Sequence, residues 1–245
     1  QAPRQSLRER SGMTSWVTER SLARPTSSTG AAVWKRPLTW VMAVAFAAQT
    51  FSYYAISGWL PTALVDELSM SESGAGVAAS VFSLLGIVGP LLVPVMFEAL
   101  GWPASRVLGV ICACWLMLPI CLTVAPAYWL VPCMLSGIAQ GAFFAALFTL
   151  VIRRSESVDE NRQTTAVIQT TGYCLAAVGP VVTGWIHEHS GGWVAPFAMV
   201  VGVLVLMTVC AQIAARAGDS GKPKPTIPAG VLSGDDEQAE QGGDQ

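Results

Sequence analysis

The sequence predicts an all-α, polytopic membrane protein whose six transmembrane helices form a 3+3 inverted repeat. Of its 245 residues, 52% are hydrophobic and only 12% are charged, roughly half the charge usual for a soluble domain. That charge is confined to a few segments, which leave six stretches of about 18 to 25 residues free of Asp, Glu, Lys, Arg and His, the length a helix needs to cross a hydrocarbon core. The two sets of three stretches have comparable lengths, and each set opens with a Gln-plus-aromatic helix followed by one punctuated by Gly and Pro.

The spans fall at residues 38–60, 75–97, 107–124, 128–152, 165–186 and 193–215, between a cytoplasmic N-terminal segment (1–37) and a disordered cytoplasmic tail (216–245). The first follows Lys35-Arg36-Pro37 and the second stops at Glu98. The third starts after Arg106, and the fourth ends at Arg153-Arg154. The fifth follows Arg162 and closes before His187, and the sixth runs from the Ser190-Gly191-Gly192 turn to Arg216. Short, turn-rich connections such as Leu100-Gly101-Trp102-Pro103 predict a tight bundle. The tail after Arg216 has too little apolar content to repay chain entropy. Gln1 in place of Met marks the chain as an expected fragment or processed product.

All 14 Lys and Arg lie on one side of this topology: in the N-terminal segment, the second-to-third loop (Arg106), the fourth-to-fifth loop (Arg153, Arg154, Arg162) and the tail. The opposite loops hold Asp66, Glu67, Glu72, His187, Glu188 and His189. By the positive-inside rule both termini are cytoplasmic, in a multi-pass protein of the cell membrane whose first partner is lipid. A net charge of -2 without a basic face excludes a nucleic-acid partner.

The six cysteines fall in apolar runs, where a thiol acts as a small hydrophobe. His187-Glu188-His189 reads as solvated residues on a short loop rather than a metal site, so neither metal nor cofactor is expected.

Polar groups within spans must find partners away from water. Gln49 with Tyr53, Gln140 with Phe144 and Gln169 with Tyr173 repeat an amide and a ring four residues apart, on one helix face. Together they predict a pocket for a small polar or aromatic solute; the competing reading is interhelical hydrogen-bond glue. Gly137-x-x-x-Gly141 signals close helix packing, and Gly89-Pro90 and Gly179-Pro180 are hinge positions. No ionisable Asp, Glu, Lys, Arg or His lies in a span core. The chain therefore acts without its own coupling charge, or another half provides one.

These motifs resemble a known family. Gln49-Thr50-Phe51-Ser52-Tyr53-Tyr54 with Gly58-Trp59-Leu60-Pro61, Gly137-Ile138-Ala139-Gln140-Gly141-Ala142-Phe143-Phe144, and Gln169-Thr170-Thr171-Gly172-Tyr173 with Ala177-Val178-Gly179-Pro180 are similar to the C-terminal half of the cyanate/nitroimidazole-type transporters of the major facilitator superfamily. The resemblance implies a twelve-span carrier, with these six as its second half and a six-helix N-terminal half as partner. It implies alternating-access transport of a small organic or weakly acidic solute, without enzymatic activity. The alternatives are a non-transporting membrane scaffold or truncated gene product, and an intramembrane serine protease on Ser136-Gly137, which lacks a base within a span.

Overall fold

The computed structural model describes residues 33–219. Most of the expected N-terminal segment and of the expected disordered tail lie outside the described residues. The elements are α1 (Pro37–Leu68), α2 (Glu72–Leu85), α3 (Val88–Pro94) with a π-helical turn (Val95–Ala99), α4 (Ala104–Val124), a 3-10 turn (Pro126–Tyr128), α5 (Leu130–Arg154), α6 (Val158–Ala176), α7 (Val178–Ser190) and α8 (Val194–Asp219). The segments α2–α3 and α6–α7 each form one interrupted pass, so the described chain crosses the bundle six times.

Five of these passes are long and apolar enough to span a membrane. The remaining one, α1, has 32 residues, enough to cover about 48 Å. Its apolar run is interrupted by Gln49, Thr50, Ser52, Tyr53 and Tyr54.

Two boundaries differ from the sequence reading. The fifth pass begins at Val158 rather than at residue 165, because the Ser157 hydroxyl accepts the Glu160 N–H at 3.1 Å and caps the helix. Arg162, expected in a loop, is therefore helical. The segment His187 to His189 is also helical, in the last turn of α7, which Gly191 closes in the left-handed conformation at φ 70°. It is not a loop.

Both interruptions precede prolines. Pro90 has no N–H for the carbonyl of Gly86, and Pro180 has none for that of Ala176. The chain breaks at Gly86-Ile87 and at Ala177. Around the first break the ladder tightens to Gly86 N–H to Ser83 and Ile87 N–H to Leu84, at 3.2 and 3.0 Å.

The passes pair in a pattern that survives exchange of the two sets of three. The first pass packs on the fifth and the fourth on the second; α8 lies along α1 as α4 lies along α5, and α4 packs on α8. This is the packing that two units of three produce. The first and fifth passes run parallel, joined by the Arg36–Glu160 ion pair, by Thr50 Oγ1 to the Gly172 carbonyl at 3.1 Å and by Trp59 Nε1 to the Pro180 carbonyl at 2.8 Å. The second and fourth passes meet backbone to backbone. A Cβ on Gly137 would stand 2.8 Å from the Phe82 carbonyl oxygen, and one on Gly141 would overlap the Gly86 carbonyl.

Every described Lys and Arg lies at the Arg36 end of the bundle. Tryptophans mark both ends: Trp34, Trp40 and Trp102 at the basic end, Trp59, Trp129, Trp185 and Trp193 at the other. Trp115, in the middle of α4, is fully buried.

Candidate functional site

A cavity of about 260 Å³ opens between the first, second, fourth and fifth passes. From α1 it receives Gln49, Thr50, Tyr53 and Tyr54; from the second pass, Gly86 and Pro90. The fourth contributes Gln140, Gly141 and Phe144, and α6 contributes Tyr173. No carboxylate, imidazole or cationic side chain lines it. Tyr54, Phe144 and Tyr173 are exposed at its mouth.

Five of the six residues singled out from the amide-and-ring repeat converge here. Gln169 does not line the cavity. The fifth pass runs parallel to α1, so Gln169 lies about 6 Å nearer the basic end than Tyr173. Between that level and the cavity, Phe46 packs against the backbone of Gly172, with its ring 5.5 Å from Tyr173, 5.8 Å from Phe144 and 5.4 Å from Phe148. Phe46 thus supports two walls of the cavity from behind. Nothing in its sequence context singled it out, since a phenylalanine in an apolar run looks like any core residue.

The glutamines in the cavity have different duties. Gln49 is 4% exposed and held on both sides of its amide: one N–H of Nε2 donates to the Gln140 backbone carbonyl at 2.9 Å, and Oε1 accepts the indole N–H of Trp115, which leaves the second N–H of Nε2 unassigned. It ties α1, α4 and α5 together, which is the glue reading. Gln140, half-buried, has no side-chain hydrogen bond within the described residues and faces the glycine gap at Gly86, where a Cβ would overlap its amide. The Thr50 hydroxyl is turned away, its one O–H shared among the carbonyls of Phe46, Ala47 and Gly172, all within 3.1 Å of Oγ1. The cavity-lining amide with no hydrogen bond to the described protein is that of Gln140.

Of the positions read from the sequence as hinges, one reaches this site. Pro90 is in its wall, and the Cβ of a residue at 179 would stand 2.7 Å from the Phe51 carbonyl oxygen, so Gly179 permits close approach to α1. Ser136 has a structural duty: it is buried, its one O–H lies between the carbonyls of Cys114 and Trp115, and its oxygen accepts the Leu118 N–H at 3.1 Å. Both histidines are at the far end of α7.

At the end opposite the basic residues, His187 stacks on Trp193 with centroids 3.9 Å apart, and Trp193 Nε1 donates to Asp66 at 2.9 Å. No group of three or more potential metal ligands occurs among the described residues.

Fold and site together define a polytopic, all-α membrane protein with a solute-sized, uncharged cavity between two pairs of parallel passes. The chain belongs to the major facilitator superfamily, whose model matches residues 3–177 and again 42–233. It is 28% identical over 186 residues to the 2-nitroimidazole transporter of Escherichia coli (strain K12), and 24% identical over 190 residues to the uncharacterized transporter YycB of Bacillus subtilis (strain 168). Each alignment covers 75% of this chain and 46% of the relative, so the chain spans about half the length of the curated relatives it matches. The resemblance to nitroimidazole-type transporters read from the motifs is borne out by the first of these similarities.

Proposed function

We propose that the chain acts in transmembrane transport of a small, flat, uncharged or weakly acidic organic solute, held in the cavity among Gln140, Tyr53, Tyr54, Phe144 and Tyr173. The supporting observation is the cavity itself: about 260 Å³, walled by rings, with one amide not engaged by the protein and no charged side chain. Rings supply flat apolar contact and the amide supplies both a donor and an acceptor, which suits a planar heterocycle bearing polar substituents. The name of the Escherichia coli relative, a 2-nitroimidazole transporter, is of that chemistry.

In this reading the cavity is one wall of a site completed by a second, N-terminal six-helix bundle, and the two bundles rock about it to give alternating access. The hinges are Gly89-Pro90 and Gly179-Pro180. The uniform placement of the described Lys and Arg supports both termini being cytoplasmic, in the plasma membrane, by the positive-inside rule. The protein is a carrier rather than an enzyme. The test is uptake of labelled 2-nitroimidazole into proteoliposomes, with this chain alone and with a co-expressed N-terminal bundle. Saturable flux restored by the second bundle is expected; no flux or binding in either arrangement would overturn the proposal.

A further inference from the structure

Trp115 is the exception among the described tryptophans in position: it is set at mid-span, fully buried, while the others occupy the two ends of the bundle, where Trp193 alone is as deeply buried. Indole is ordinarily drawn to the membrane boundary, where its N–H stays wet, so a mid-span indole needs a partner. Its partner is Oε1 of Gln49, a residue of the cavity wall, although Trp115 does not itself line the cavity.

An indole N–H only donates and a backbone carbonyl only accepts. The Gln49 carboxamide lies between one of each, Trp115 Nε1 on one side and the Gln140 carbonyl on the other. Its orientation is therefore determined: oxygen towards α4 behind the site, NH₂ towards the cavity-lining α5. A flip would set N–H against N–H and oxygen against oxygen, losing both bonds inside a buried environment.

We propose that Trp115 sets the polarity of the cavity by holding the Gln49 amide in this one orientation. The fixed polar edge beside the solute is then the second N–H of Gln49 Nε2, the one not given to the Gln140 carbonyl, and so a hydrogen-bond donor, while the Gln140 amide is free to turn either way. Trp115 is thus a positioning residue, acting through Gln49, and the solute it favours is one whose substituent accepts hydrogen bonds, such as nitro or carbonyl. This inference rests on the cavity reading above.

The test uses two uncharged probes of similar shape, 4-nitroimidazole, whose substituent only accepts, and imidazole-4-carboxamide, whose substituent also donates. Binding to the chain reconstituted together with the co-expressed N-terminal bundle should favour the nitro compound. In Trp115→Phe, which keeps a ring but loses the donor, the preference should fall about fivefold, the equivalent of one neutral hydrogen bond. In a Gln49→Met background the same substitution should leave the preference unchanged, a coupling that loss of packing alone would not produce. The Trp115 indole resonance, assigned by its absence in Trp115→Phe, should move on Gln49→Met. An unchanged preference in Trp115→Phe, the same change in both backgrounds, or an unmoved resonance would overturn the proposal alone. Failure of both probes to bind saturably would overturn the cavity reading and this proposal together.

Discussion

Trp59 donates its indole N–H to the carbonyl of Pro180, 2.8 Å away, immediately beyond the break between α6 and α7. The ring reaches that carbonyl because residue 184 has no side chain; a Cβ there would stand 2.6 Å from the indole. This contact holds the α7 part of the fifth pass against α1, as the Arg36–Glu160 pair and the Thr50–Gly172 bond hold its α6 part. Trp59→Phe should lower stability by about 1 kcal/mol, the usual net worth of one hydrogen bond. Gly184→Ala should cost at least as much by displacing the ring, as read by thermal unfolding in detergent.

The second and fourth passes depend on missing Cβ atoms in the same way, but with backbone as the obstacle. Gly141→Ala would drive a methyl into the Gly86 carbonyl, and helix backbone cannot move aside as a side chain can. A loss of about 1–3 kcal/mol is expected. Gly202→Ala is the control: nothing stands within 4 Å of its Cβ, and the better helix propensity of Ala should leave stability unchanged or raise it by up to about 1 kcal/mol.

The Arg36–Glu160 ion pair joins partners of unequal burial, 48% exposed for the Arg36 side chain and 6% for Glu160. The two truncations should therefore differ. Arg36→Met leaves a buried carboxylate without its cation, although Glu160 Oε2 still accepts the Glu156 N–H at 3.1 Å. Glu160→Gln releases Arg36 to solvent and retains an acceptor for that N–H. Arg36→Met should be the more destabilising of the two, measured as loss of folded protein on heating, and Arg36→Met/Glu160→Gln should recover part of the difference.

What the sequence could disclose was set by the range of the forces involved. Charge-free stretches located the passes because exclusion of charge from lipid acts on each residue separately, and Gly86-Ile87-Val88-Gly89-Pro90 marked a break because a proline's missing donor is a local fact. The early start of α6 is legible too: Ser157-Val158-Asp159-Glu160 is a capping-box pattern, although the same acidic residues fit a loop between two charge-free stretches. Convergence of Gln49, Tyr53, Gln140, Phe144 and Tyr173 followed from helix periodicity. The partition of duties between the glutamines did not, since it depends on Trp115, 66 residues from Gln49 in sequence, and on the level at which two parallel passes are in register.

That partition separates the three glutamines experimentally. Gln140→Leu removes the amide that carries no hydrogen bond to the described protein, so it should weaken solute binding while leaving thermal stability within about 0.5 kcal/mol. Gln49→Leu leaves the buried Trp115 indole N–H without its partner, a cost of about 1–3 kcal/mol, while the Gln140 backbone carbonyl, inside α5, loses only its second bond. Its effect should be a clear fall in stability together with weakened binding. Gln169→Leu alters a half-buried residue below the Phe46 cluster and outside the cavity lining, so binding should match that of the unaltered chain. Measuring binding and thermal unfolding side by side on the three variants decides the matter. Equal binding losses at all three positions would restore the reading in which Gln169 is part of the site, and a Gln140→Leu variant that binds normally would remove the amide from it.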